Sequence, residues 1–176
     1  MSCLALETIL KSCDNNSGGI YRVWVNQQVN IDEDSAFTFL GAPNEYTIAT
    51  IPLIAPAVLF TELEFKRNVS SYTEESNIDL INGSSFVTQT INLMFHRRNQ
   101  TYSQAIKVLG SGQQYLAAIV EDANGLYWYF PFLQVSATGE GSGTARADGS
   151  KYSVTLVAEN EFLAFLVDAA DIPNVI

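Results

Sequence analysis

Paired carboxylates are the first candidates for chemistry in this chain. Glu62 and Glu64 alternate along one stretch, and Glu74 and Glu75 are adjacent in another. Acid and base work by two carboxylates needs environments that push their pKa values apart, and glutamates on a solvated strand face provide no such split. The single histidine, His96, stands in Met94-Phe95-His96-Arg97-Arg98 at an expected strand end. No nucleophile and orienting group converge on it in any local motif, so it reads as an edge or packing residue. Cys3 and Cys13 have no histidine nearby and would supply half of a zinc site. The run Gly139-Glu140-Gly141-Ser142-Gly143 lacks the lysine and the helix that follow a phosphate loop, and its own glutamate would repel a phosphate. It reads as a connection between strands. No catalytic, metal-binding or cofactor-binding set assembles, so the expectation is a protein that is not an enzyme, needs no cofactor and acts through assembly and surface.

Charge narrows the partners. With 19 Asp and Glu against 9 Lys and Arg, the formal net charge of −10 repels free nucleic acid and anionic membranes, which disfavours a DNA-reading role. An apolar content of 47% with 16% charged residues argues against disorder, and 176 residues can bury one substantial core. Glu7 interrupts the apolar start and a charged leader region is missing. The most apolar window, Ile48 to Phe60, is too short for a bilayer and is broken by Pro52 and Pro56. These features lead us to expect a soluble protein made in a cytoplasm, with reduced thiols and no membrane partner.

The elements that must position any surface read as strands. Residues 1–19 form an expected N-terminal arm, polar and Ser/Asn-rich from Ser12 to Ser17 and closed by Gly18-Gly19, and residues 20–176 a single β domain. Ile20 to Asn26 alternates, with Tyr21, Val23 and Val25 on one face and Ile20, Arg22 and Trp24 on the other. A strand pair is expected at Ala36 to Leu40 and Tyr46 to Ile51, around the breaker Gly41-Ala42-Pro43-Asn44. The prolines that follow argue against a central strand. Val58 to Asn68 reads as a long strand that returns through Ser76 to Ile81 and, after Asn82-Gly83, through Phe86 to Phe95. In that last run Val87, Gln89, Ile91, Leu93 and Phe95 share one face, while Phe86, Thr88, Thr90, Asn92 and Met94 share a wet one.

One helix is expected from Tyr102, Ala105, Ile106 and Leu109 at helical spacing, capped by Asn99 or Thr101 and ended by Gly110 and Gly112. It is too short to stand alone, so its apolar stripe should lie on the sheet. Strands follow at Gln114 to Glu121, Leu126 to Phe130, Leu133 to Thr138, Tyr152 to Glu159 and Leu163 to Val167. Asn124-Gly125 signals a tight primed hairpin turn, in which both residues take positive φ. The fold class is mainly β, a β-sandwich or barrel with one short flanking α-helix.

Three stretches in chain order carry a family likeness. Cys13-Asp14-Asn15-Asn16-Ser17-Gly18-Gly19-Ile20 enters a strand, and late in the chain come Val120-Glu121-Asp122-Ala123-Asn124-Gly125-Leu126-Tyr127-Trp128 and Thr144-Ala145-Arg146-Ala147-Asp148-Gly149-Ser150-Lys151-Tyr152. This pattern resembles the small tail-tube proteins of tailed bacteriophages over most of the chain. The resemblance implies hexameric rings stacked into a hollow tube, other phage tail proteins as partners, transient non-specific passage of DNA through the lumen, and a place in the virion. Where many relatives have Gly-X-X-X-Gly-Leu after the aromatic hairpin strand, this chain has Phe130-Pro131-Phe132-Leu133. A tube subunit and a related ring protein therefore both stay open.

Physical reasons point the same way. A ring-forming subunit exposes edge strands on which neighbours can pair. The apolar segment Ile51 to Val58 suggests an assembly interface through Leu53, Ile54 and Val58. Glu62, Glu64 and Asp79 on polar strand faces suggest an acidic lumen from which phosphates are repelled. Two other classes compete: a connector, terminator or capsid-decoration protein that stops at one ring or a trimer, and a carbohydrate-binding β-sandwich using Tyr127, Trp128 and Tyr129. Alternation sets Trp128 opposite the two tyrosines, which argues against a flat three-ring platform.

Overall fold

A computed structural model describes residues 16–33, 35, 37–41, 44–66, 68–111 and 114–176. Cys3, Cys13, most of the expected arm, and Asp34, Ala36, Ala42, Pro43 and Gly112 lie outside the described residues. The described chain is mainly β with one helix of more than a single turn. Ten strands follow in order: β1 (Ile20–Gln27), β2 (Thr38–Phe39), β3 (Thr47–Thr50), β4 (Thr61–Glu62), β5 (Ser71–Asp79), β6 (Ser84–His96), β7 (Leu116–Asp122), β8 (Tyr127–Gly141), β9 (Lys151–Asn160) and β10 (Phe165–Val167). Helix α1 (Gln100–Ser111) lies between β6 and β7, and a short helix α2 (Ile172–Val175) precedes the last residue.

The strands form one mixed sheet that doubles over. Its first layer runs β2-β3-β10-β8-β7-β1-β4, and its second runs β5-β6-β9-β8. Strand β8 belongs to both. Its first half pairs with β7 and β10, and from Gln134 onward it pairs with β9. Opposite β7 the register shifts between Leu116 and Ala118, so that Pro131 and Phe132 face Ala117 alone; a second shift falls at Ser136. Such bulges bend a strand and increase its twist, which carries β8 from one layer to the other. Phe132 takes φ 55 at this bend. The two strands expected here, broken at Pro131, are therefore one strand, because a bulge accommodates the proline that a regular ladder would reject.

Two cores result. The first lies between the layers and gathers Ile20, Val23 and Val25 of β1, Ile91, Leu93 and Phe95 of β6, Ala118 and Val120 of β7, and Tyr152, Val154 and Leu156 of β9. The second lies on the outer face of the first layer, where Trp24, Ala117, Ile119, Tyr129 and Val167 are covered by Ile31, Ile48, Ile51, Phe60, Ile172 and Val175. Strand β7 is buried on both faces, and this explains its unbroken apolar run Leu116 to Val120. In β6 the inward set is Val87, Gln89, Ile91, Leu93 and Phe95, the face that alternation assigns. In β1, Ile20 joins Val23 and Val25 instead of Trp24, because the register against β7 shifts between Ile20 and Arg22 and resets the alternation.

Two more expectations change. Val58 to Asn68 is not a long strand: only Thr61 and Glu62 pair with β1. This stretch crosses the sheet edge, with Phe60 in the second core and Leu63 and Phe65 against the first. Asn68 then turns it at φ 63. The long partner of β6 is instead β5, in register from Ser71 opposite Asn92 to Asp79 opposite Ser84. The Asn124-Gly125 turn is not primed, since only Gly125 takes positive φ, at 82°. The Gly125 N–H donates to Asp122 O at 3.1 Å and the Asp122 N–H donates to Leu126 O at 2.9 Å, a type I turn followed by a left-handed glycine. Helix α1 starts as expected, with the Tyr102 N–H donating to Asn99 Oδ1 at 2.7 Å, and its residues Tyr102, Ile106 and Leu109 pack on the first core.

Candidate assembly surface

The β5–β6 hairpin is a lever with a fixed root and a bare tip. Strand β9 pairs with β6 only from Val87 to His96, so Ser84, Ser85 and Phe86 pair with β5 alone. At about 3.4 Å per residue these three pairs extend the hairpin roughly 10 Å beyond the sheet. Its turn is built by Asp79, whose Oδ1 accepts the N–H groups of Ile81 (2.9 Å) and Asn82 (3.1 Å) and whose Oδ2 accepts from Asn82 Nδ2 at 2.6 Å. These bonds, the Asn82 amide foremost, hold the Asp79 carboxyl below its ordinary range. Gly83 completes the turn at φ 67. Leu80 and Ile81 at its apex are 90% and 95% exposed, more than any other large apolar side chain among the described residues, and Ile78 is 68% exposed. Leaving two such side chains in water forgoes roughly 1.5–3 kcal/mol each, and apolar surface of this kind marks a contact site.

The root is held by a buried amide, Gln89, which is fully inaccessible. Its Nε2 donates to Glu74 Oε1 (2.9 Å) and to Phe162 O (3.3 Å), and its Oε1 accepts from Asn160 Nδ2 at 2.7 Å. Glu74 Oε1 also accepts the Ala164 N–H at 2.6 Å, and Asn160 Nδ2 reaches Pro131 O at 3.2 Å. Edge strand β5 is thereby tied to β6, to the end of β9 and to the bend of β8. Among the described residues the outer edge of β5 pairs with no other strand.

A second feature is concave. Val25, Val58, Leu59, Thr61, Leu63, Ala105, Leu109 and Leu116, with the amides Asn26, Gln27, Asn30 and Gln114, line a groove of about 600 Å³ between the β1/β4 edge and helix α1. Among the described residues no ionisable side chain lines it. Val58 and Leu59 are 50% and 46% exposed on its wall, and Val58 O accepts from Asn26 Nδ2 at 2.7 Å.

The expected site residues scatter over these features. Leu53 is half-buried against the second core and bridges to Ile31, Ile54 lies at the surface, and Val58 lines the groove. Glu62 and Glu64 are both exposed at the β4 edge of the first layer, whereas Asp79 stands on the hairpin of the second and is occupied in building its turn. Tyr129 is buried in the second core with Tyr127 against it, and Trp128 packs on the first. These three rings form no platform for a sugar. Among the described residues no three His, Cys, Asp or Glu side chains cluster as metal ligands, and no helix is long and apolar enough to cross a membrane. Leu80 and Ile81 escaped sequence reasoning, although two large apolar residues directly before an Asn-Gly turn, where polar residues belong, were the available signal.

No protein-family model matches the chain, and no curated protein matches it. Among solved structures, the crystal structure of Hcp1 from Salmonella typhimurium is similar at 14% identity, covering 78% of this chain and 81% of that one, with a TM-score of 0.39. A likeness at that level bears no weight for fold or function.

Proposed function

We propose that this protein is a structural subunit that assembles with copies of itself, and that the assembly is the tail tube of a tailed bacteriophage: rings, hexameric in that family, stacked around a channel for the genome. The observation that carries self-assembly is the hairpin, a rigidly rooted β arm whose apex presents Leu80 and Ile81 to water. The open edge of β5 supports it, because unpaired strand edges join chains through backbone hydrogen bonds. The tail-tube assignment itself rests on the sequence resemblance around Cys13 to Ile20, Val120 to Trp128 and Thr144 to Tyr152. In this reading the protein is made in the host cytoplasm, resides in the virion, and passes DNA without binding it. Its excess of carboxylates serves that end. Negative-stain microscopy of the purified protein tests the proposal. Open-ended tubes of constant bore are expected. Single closed rings would favour a connector or terminator, and protein that stays monomeric at high concentration would refute self-assembly.

A further inference from the structure

The tip and the groove lie on one chain yet do not meet within it, since Leu80 and Ile81 are almost wholly exposed. We infer that they meet between chains: the Leu80-Ile81 apex of one copy seats in the groove between the β1/β4 edge and helix α1 of a second copy. The inference rests on the self-assembly reading and names the surfaces that carry it.

Charge selects this pairing. The arm from Ser71 to Ser84 carries Glu74, Glu75 and Asp79 and no Lys or Arg, so in a chain of net charge −10 it is repelled from most of another copy's surface. The stretch from Leu80 to Val120 contains no Asp or Glu and includes Arg97, Arg98 and Lys107. Helix α1, one wall of the groove, lies inside that stretch. On the other wall Thr61 and Leu63 line the groove, and neither Glu62 nor Glu64 is part of its lining. An acidic arm with an uncharged apex therefore meets an uncharged lining beside an acid-free helix.

Such a contact joins two different patches. It is heterologous, each copy giving a tip and receiving one, so it propagates into a ring where the rotation closes and into a filament where it does not. An isologous tip-to-tip dimer would instead bring the Asp79 carboxylates of the two copies together.

The test is site-directed disulfide trapping. In a Cys3→Ser/Cys13→Ser background, one chain carries Ile81→Cys and a second carries Ala105→Cys, both positions being exposed so that folding is spared. Mixed under mild oxidant, the two should yield a cross-linked 1:1 dimer, while Ile81→Cys alone should give little. If the main product is instead two Ile81→Cys chains joined to each other, the pairing is overturned. So it would be by an intramolecular bridge from Ala105→Cys to Cys3 or Cys13 in the otherwise native chain, which would place the chain's own first residues in the groove. Blocking the groove with Ala105→Trp should raise the concentration needed for assembly on the order of 100-fold, as should Leu80→Ser/Ile81→Ser. Assembly that persists in the blocked variant refutes the tip-in-groove contact while leaving the tube reading intact. Failure of the parent to assemble refutes the tube reading itself.

Discussion

Replacing Gln89 by Leu should destabilise the protein by about 3 kcal/mol, although leucine is apolar and the site is fully buried. The substitution removes one bond to a carboxylate (Glu74), worth about 1.5–3 kcal/mol, and two neutral bonds (Phe162 O and Asn160 Nδ2), worth about 0.5–1.5 kcal/mol each. Glu74 keeps the Ala164 N–H and Asn160 keeps Pro131 O, so neither is wholly orphaned, and the buried leucine returns about 1 kcal/mol or more. For a chain of this size the net loss should lower Tm by roughly 6–12 °C. Urea and thermal unfolding, run at a concentration where the protein is unassembled, measure it. The control is Asn92→Ala on the wet face of the same strand, whose carbonyl accepts only an exposed Thr155 hydroxyl and whose loss should cost under about 0.5 kcal/mol. A double-mutant cycle with Glu74→Gln should show a coupling of about 1 kcal/mol. If Gln89→Leu is as stable as the parent, the amide is not what fixes the hairpin root.

Asp122→Ala should cost about 2–4 kcal/mol and shift tryptophan fluorescence, because Asp122 accepts the N–H groups of Asn124 (2.8 Å) and Leu126 (3.0 Å) and Trp128 Nε1 at 3.1 Å; an unchanged spectrum would count against the turn as described. Burial pushes the Tyr129 phenol well above the ordinary tyrosine range, an effect the neighbouring Gln28 amide only partly offsets. Between about pH 10, where the unfolded chain ionises, and that raised value the unfolded state holds fewer protons, so stability is full below the window and falls as pH rises through it. Tyr129→Phe should flatten that alkaline loss in urea midpoints without weakening the protein at pH 7, since the buried hydroxyl makes no hydrogen bond of full geometry. Glu62→Lys/Glu64→Lys should leave assembly nearly intact and make tubes retain DNA at low salt, releasing it as ionic strength rises; ejection as fast as the parent's at low salt would show that these residues do not face the channel.

What the sequence makes legible here is local. The inward face of strand β6 could be read because Val87, Ile91, Leu93 and Phe95 alternate without a break, and Gln89 fits among them once its amide is satisfied; the strand itself runs from Ser84 to His96, beyond the expected Phe86 to Phe95. Helix α1 announced itself through Asn99 and the Tyr102, Ile106, Leu109 stripe. Strand β5 did not, because as an edge strand it buries little and its Ser, Thr and Glu residues carry no apolar period. The parallel pairing of β3 with β10 joins strands of 4 and 3 residues far apart in the chain, too short for any period to register. The same holds for the assembly surface. The exposure of Leu80 and Ile81 follows from where β9 stops, at Asn160 opposite Val87, and that is a tertiary fact. Val58 could be read as an apolar surface residue, but its groove is made jointly by β1, β4, α1 and β7.

The central claim is that copies of this chain join through the hairpin apex. Electron microscopy and sedimentation of the parent beside Leu80→Ser/Ile81→Ser test it most directly, because both substituted side chains are already in water and the fold does not depend on them. The account predicts tubes or rings from the parent, and from the variant a folded monomer with the parent's circular dichroism and the Tm of the parent diluted below its assembly concentration. Equal assembly of both proteins at the same concentration, or a monomeric parent, would contradict it.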